Sequence, residues 1–232
     1  MNRHYVQIFV IMTIVSFNAL SNEQKFLIGV DVLQTNYAAK TGTVGEVFYQ
    51  DPIAFNFYGK YIFMDRFFVE AGYETYPGKN KSKTMKEGEV FANVVMPSPN
   101  MLTINTNSKT KTEHPYLGIG FMGNIPKLSN ATWNAMIGIS NSKVKQDLNY
   151  SITRTAIGVT ENRPPHNFAK RKLIPILKLG VEYKLQNCFG LRLTGSWLNM
   201  NRIKLTSKRN TAVETKMKNG YSLGIGAFYS FI

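Results

Sequence analysis

The chain has 232 residues, 44% of them hydrophobic, and a formal net charge of +14. That hydrophobic content excludes a disordered chain, and the single cysteine, Cys188, excludes an intrachain disulfide framework. The length suits one domain, and the basic excess points to anionic partners.

Residues 1–21 read MNRHYVQIFVIMTIVSFNALS. Arg3 precedes an apolar run over residues 6–17, and the small residues Ala19 and Ser21 stand two apart. This is the pattern of a secretory signal peptide cut after Ser21. The run is shorter than the roughly 20 residues of a spanning helix, and Ser16 and Asn18 interrupt its end, which weighs against a helical anchor. The expected organisation is a leader over 1–21 and one mature domain over 22–232. No later stretch approaches about 18 consecutive apolar residues. An exported chain of this kind is either soluble or a membrane barrel.

Eight segments then alternate with period two. In the first, Phe26, Ile28, Val30 and Val32 oppose Gly29, Asp31 and Thr35. In the second, Ile53, Phe55 and Phe57 oppose Asn56, Tyr58 and Lys60. In the third, Phe67, Val69, Ala71 and Tyr73 oppose Arg66, Glu70, Gly72 and Glu74. In the fourth, Leu117, Ile119 and Phe121 oppose Tyr116, Gly118 and Gly120. In the fifth, Trp133, Ala135, Ile137 and Ile139 oppose Thr132, Asn134, Gly138 and Ser140. The sixth sets Leu177, Leu179, Val181, Tyr183 and Leu185 against Lys178, Gly180, Glu182 and Lys184. The seventh sets Leu191, Leu193 and Trp197 against Gly190, Arg192, Thr194 and Ser196, and the eighth sets Tyr221, Leu223, Ile225, Ala227, Tyr229 and Phe231 against Ser222, Gly224, Gly226 and Ser230. Side chains on a strand point alternately to opposite faces, so every segment has one apolar and one polar or small face. Each is about ten residues, the length with which a tilted strand crosses a bilayer.

A soluble sandwich alternates as well, but three features favour a membrane barrel. The polar face carries Asp31, Arg66, Glu70, Glu74, Lys178, Glu182 and Arg192, charges of both signs that can pair inside a narrow barrel. Aromatic residues gather near the segment ends, as in the interfacial girdles of lipid-facing strands. The connections also alternate in length. Met64-Asp65, residues 123–130 and Gln186-Asn187-Cys188 are short, whereas 37–52, 77–114, 142–172 and 199–219 are long. Short periplasmic turns opposite long outer loops are the barrel arrangement. A sheet in lipid has no partner for an open edge and must close, so an even strand count is expected. The fold expected is all-β: a closed, antiparallel, up-and-down transmembrane β-barrel of eight strands. Ten strands would result if residues 149–159 crossed as well; they read instead as a hairpin extension above the membrane.

The pieces FFVEAGYETY (67–76), YLGIGF (116–121) and the closing YSLGIGAFYSFI resemble the small outer-membrane β-barrels of the OmpA and opacity-protein type, which include porin-like and surface-antigen barrels. The resemblance is one of pattern over the whole mature chain. It implies residence in a bacterial outer membrane and insertion by the barrel-assembly machinery, which reads a C-terminal strand ending in an aromatic residue. Tyr229 and Phe231 would carry that signal here, with Ile232 shifting the last aromatic by one position. No peptidoglycan-binding domain is expected after the barrel.

Little points to catalysis or a cofactor. Residues 118–123, GIGFMG, fit a dinucleotide-binding spacing, but Asn124-Ile125-Pro126 follow where a helix should start. After the leader only His114 and His166 remain, and neither lies in a Ser/His/acid pattern. Both read as solvated loop residues, and Cys188 as a free thiol at a turn. No metal or cofactor site is expected.

The basic excess falls mainly in the long connections. Lys79, Lys81 and Lys83, then Lys170, Arg171 and Lys172, then Lys208 and Arg209 are candidate polyanion-binding loop residues. Lipopolysaccharide phosphates beside the barrel rim and sulfated host glycans are the expected partners, and nucleic acid is not. The chain is expected to be monomeric. Three function classes follow: a surface-exposed structural or interaction protein such as an adhesin or antigen, a small porin-like channel, and a lipid-modifying enzyme. The inward charges read either as a structural network or as a channel lining, and eight strands leave room for side chains rather than water.

Overall fold

In the computed structural model the eight alternating segments are strands, here β1 (Lys25–Asn36), β2 (Ile53–Phe63), β3 (Phe67–Tyr76), β4 (Thr103–Ile125), β5 (Leu128–Arg154), β6 (His166–Lys184), β7 (Phe189–Leu198) and β8 (Gly220–Phe231). The structure describes residues 25–36, 38–41, 44–49, 53–63, 66–77, 80–84, 87, 90–91, 94–95, 103–162, 166–185, 188–206 and 214–231. The expected leader and its cleavage site lie outside the described residues, as do Lys79, Lys208 and Arg209.

Each strand pairs antiparallel with its sequence neighbours. The ring shuts where β8 meets β1, from Phe26 opposite Phe231 to Asn36 opposite Tyr221. This is a closed up-and-down barrel of eight strands. One end holds both ends of the ring's chain and the short connections, among them the two-residue turn Pro126-Lys127. Lys127 takes φ 69° there, as tight hairpin turns require. The four long connections leave from the other end.

Three strands are far longer than the sequence pattern indicated. β4, β5 and β6 contain 23, 27 and 19 residues, where about 9–11 cross a bilayer. Residues 103–114, 142–154 and 166–172, expected as loop, are paired strand. The hairpin reading of residues 149–159 holds in essence, because Ser151–Arg154 continue β5 and pair with Val159–Asn162. Short strands widen this upper tier. Residues 80–84 pair with the outer part of β4, and 204–206, 214–217, 38–41 and 44–49 form a four-stranded sheet in that order.

The upper tier escaped the period-two pattern for a physical reason. On β4, Asn105, Asn107, Lys109 and Lys111 face out and are exposed, while Thr110, Thr112 and His114 face in. Both faces are polar, so no apolar period marks the strand. Backbone pairing defines it instead: with β5, continuous from Lys143 opposite Glu113 to Thr153 opposite Thr103, and with residues 80–84 on the other edge.

Candidate functional site

Alternation aims one side of every strand into the barrel. Asp31 comes from β1, Asn56, Tyr58 and Lys60 from β2, Glu70 and Glu74 from β3, Tyr116 from β4, Lys178 and Glu182 from β6 and Arg192 from β7. All are buried. Glu70 sits at the centre. Arg192 approaches it through Nη1 at 3.1 Å, Lys178 at 3.7 Å and Lys60 at 3.8 Å. The Tyr116 hydroxyl donates to Glu70 Oε1 at 2.8 Å. Lys60 also pairs with Glu182, and Lys178 with Glu74 at 2.8 Å. Glu74 further accepts from the Tyr76 hydroxyl at 2.8 Å. Asp31 accepts from Asn56 Nδ2 at 2.7 Å.

Each cation also lies over a ring. Arg192 is 4.1 Å from the Tyr58 centroid, Lys178 3.8 Å from Tyr116 and Lys60 4.5 Å from Phe68. Charges removed from water need this density of counter-charge, hydrogen bonds and ring faces to be tolerated. Large inward side chains fit because glycines oppose them. A Cβ at Gly72 would collide with the Tyr116 ring, and one at Gly226 with Asp31. Gly118 and Gly120, the glycines of the rejected dinucleotide pattern, serve the same packing beside Met136 and Phe68. At the short-turn end a cavity of about 250 Å³ is bounded by Leu27, Glu182 and Phe228.

The outer surface is the reverse. Ile119 on β4, Ile137 on β5, Leu179 on β6, Leu193 on β7 and Ile225 on β8 are 52–64% exposed. They belong to a continuous apolar belt spanning about ten residues on each strand. The short-turn end of this belt carries rings in mutual contact: Phe63 with Phe67 at 6.1 Å, Phe67 with Phe121 at 5.4 Å and Phe121 with Trp133 at 5.5 Å. Phe189, Tyr229, Phe231 and Phe26 continue the series. Tyr73, Trp197 and Tyr221 mark the other end. Water-soluble proteins rarely expose a large contiguous apolar surface, and a belt of this kind around a charged interior matches a bilayer. The chain is a transmembrane β-barrel. No known family matches this barrel's sequence, and no curated protein does either.

Solved structures do resemble the barrel's shape. Neisserial surface protein A is 10% identical, with 90% of this chain and 100% of that one covered and a TM-score of 0.43. The outer membrane protein OprG of Pseudomonas aeruginosa is 11% identical over 90% and 95%, TM-score 0.45. The outer membrane protease OmpT of Escherichia coli is 10% identical over 92% and 99%, TM-score 0.45. Two of the three are named as proteins of the outer membrane, and the likeness is one of shape. A surface protein and a protease stand side by side among them, so the shape alone names no activity.

The structure gathers six of the seven expected interior charges, Asp31, Glu70, Glu74, Lys178, Glu182 and Arg192, into one network. Arg66 is a correction. It has the inward parity of β3 but precedes the strand, in a turn, and is exposed to water at the barrel mouth. Lys60 takes its place and was missed, although it shares the polar face of its segment. Tyr58 and Tyr116 were missed as ring partners for the cations.

His114 is a second correction. It is not a solvated loop residue but fully buried inside β4, with Nδ1 2.7 Å from Ser142 Oγ and Nε2 3.1 Å from Thr112 Oγ1. The ring also meets Tyr76 edge-on at 5.2 Å. Ser142 is equally buried, and a nucleophile must be able to reach its substrate. His166 begins β6, opposite Leu148. Among the described residues no group of three or more His, Cys, Asp or Glu is placed to hold a metal.

The expected loop cations prove to be strand residues where they are described. Lys170, Arg171 and Lys172 lie exposed on β6, and the backbone of Lys81 and Lys83 pairs with β4. Their spacing was read as loop because the upper tier has no apolar period.

Proposed function

We propose that this barrel is a surface-exposed interaction protein, a membrane anchor that holds a rigid basic β-structure outside the cell, without catalytic activity. The supporting observation is the filling of the barrel. Arg192, Lys60, Lys178 and Phe68, all buried, block the lumen at membrane level. Above them Leu148, Phe168, Ile174, Met200 and Met217 form an apolar core within the upper tier. A channel needs a continuous wet path, and small eight-stranded barrels are filled by their own side chains. What remains for interaction is the exterior of the upper tier, which is rich in Lys and Arg and suits anionic surface glycans.

The test is adhesion of cells displaying the barrel to a heparin-coated surface and to an uncharged dextran surface. Binding to heparin alone, weakened as salt shortens the screening length and abolished by K79Q/K81Q/K83Q/K208Q/R209Q, is the expected result. Equal adhesion to both surfaces, or adhesion untouched by the five substitutions, would overturn the proposal.

A further inference from the structure

Strand parity does not change between the lipid belt and the upper tier, because β5 pairs with β6 without a shift from Ala131 opposite Tyr183 to Leu148 opposite His166. The outward row of β5 therefore runs from Ile137 and Ile139 through Asn141 to Lys143, Lys145 and Asp147. On β6 the same face runs from Leu173 to Arg171, and on β4 from Leu117 to Glu113, Lys111 and Lys109. The register then stacks like charges side by side. Lys143 lies directly opposite Arg171, and Lys145 directly opposite Lys111.

Like charges directly opposed across a sheet are unfavourable. Here two such pairs occupy successive outward rows, and in the row beyond Lys109 lies opposite Asp147. Five cations share this face with two carboxylates, Glu113 and Asp147. Glu113 is divided between Lys111 at 3.3 Å and Lys143 at 3.8 Å. Among the described residues Lys145 and Arg171 have no ion-pair partner.

Height decides what this face meets. Leu173, 63% exposed, is the last large apolar outward residue of β6. Arg171, with Lys143 opposite it, is two residues further, about 6.6 Å along the strand, within the roughly 5–7 Å headgroup layer on one side of a bilayer. Lys145 and Lys111 stand one row beyond, from which long flexible side chains can reach back toward that layer. Long connections mark the outer side of such barrels, so the layer is that of the outer leaflet.

The geometry points to a binding site for the phosphate groups of an outer-leaflet lipid, formed by Lys111, Lys143, Lys145 and Arg171. Two cation pairs in adjacent rows suit a lipid with two phosphates, and the Arg171 guanidinium can grip phosphate oxygens in pairs. The site needs only the barrel's orientation, so it stands or falls apart from the adhesion proposal.

Native mass spectrometry of the folded barrel in neutral detergent tests it, with bisphosphoryl lipid A, its dephosphorylated form and a heparin octasaccharide as probes. Wild type should retain bisphosphoryl lipid A alone. K111Q/K143Q/K145Q/R171Q should lower that retention by about tenfold or more, from the attraction each cation adds near anionic lipid. K204Q/K216Q/K218Q, which removes cations elsewhere on the upper tier, should leave it unchanged. Folding of each variant is read from the faster migration of the unboiled sample on a gel. If the fourfold variant does not fold, K111Q/K145Q carries the same test with a smaller loss. Equal retention of the dephosphorylated lipid would mean acyl packing only. Preference for the octasaccharide would mean a soluble glycan ligand, and equal losses in the two multiple variants a net-charge effect. Any of these results overturns the site.

Discussion

Below the level of Ser140 and Ser142 this barrel is charged inside and apolar outside; above it the arrangement turns over. In the spanning part Glu70, Lys178 and Arg192 are buried while Ile119, Ile137 and Leu179 are exposed. In the upper tier Val144, Leu148 and Phe168 are buried while Lys145 and Arg171 are exposed. The same strands, in the same register, build both. What changes is the solvent around the wall: lipid below, where apolar groups face outward at no cost, and water above, where they must be hidden. The crossover is a polar layer, with His114, Thr112, Ser140 and Ser142 joined by hydrogen bonds of 2.7–3.1 Å. Neither an apolar nor a charged residue would suit both neighbours there.

The largest effect expected is from breaking the lower interior. Arg192→Ala leaves Glu70 with one cation fewer in a dry site and should cost about 3–5 kcal/mol, read by urea unfolding in lipid vesicles. Adding Glu70→Gln should recover part of that loss, because the two residues act in one network. Next comes the lower exterior. Leu179→Arg, in the middle of the belt, should cost about 2–4 kcal/mol. The same assay in detergent micelles should show a smaller penalty if the cost is the burial of charge in lipid.

The upper interior should behave as an ordinary soluble core. Leu148→Ala removes a buried side chain and should cost about 2–4 kcal/mol. Because the loss is confined to the upper tier, limited proteolysis should cut 142–172 sooner while the mobility shift of the membrane barrel persists. The smallest effect is expected on the upper exterior. Lys145→Gln should change stability by less than about 0.5 kcal/mol, and even a gain is consistent with relief of its repulsion with Lys111. A large loss there would remove the contrast between the tiers.

Much of the spanning barrel was legible because lipid enforces a simple rule. Every second residue must be apolar, and the residues between are left for the interior, so strand count, parity and six interior charges follow from spacing. Arg66 was misplaced because parity does not say where a strand begins. The water-facing tier obeys no such rule. Thr110, Thr112, His114 and Gln146 point inward, yet resemble the Asn and Lys residues that point outward, and residues 103–114 read as loop.

The amino-acid sequence by itself determined that this chain makes a closed eight-stranded barrel, with its apolar face to the membrane and its charges inside. Period-two alternation and the alternation of short and long connections are local signals that survive without any knowledge of partners. Tertiary structure alone decided which charges meet, that Lys60 rather than Arg66 completes the network, and that β4, β5 and β6 rise far beyond the membrane. It also decided that Lys111, Lys143, Lys145 and Arg171 share one face. These are matters of register between strands distant in the chain, and pairing across a sheet depends on backbone hydrogen bonds that no single strand's side chains encode.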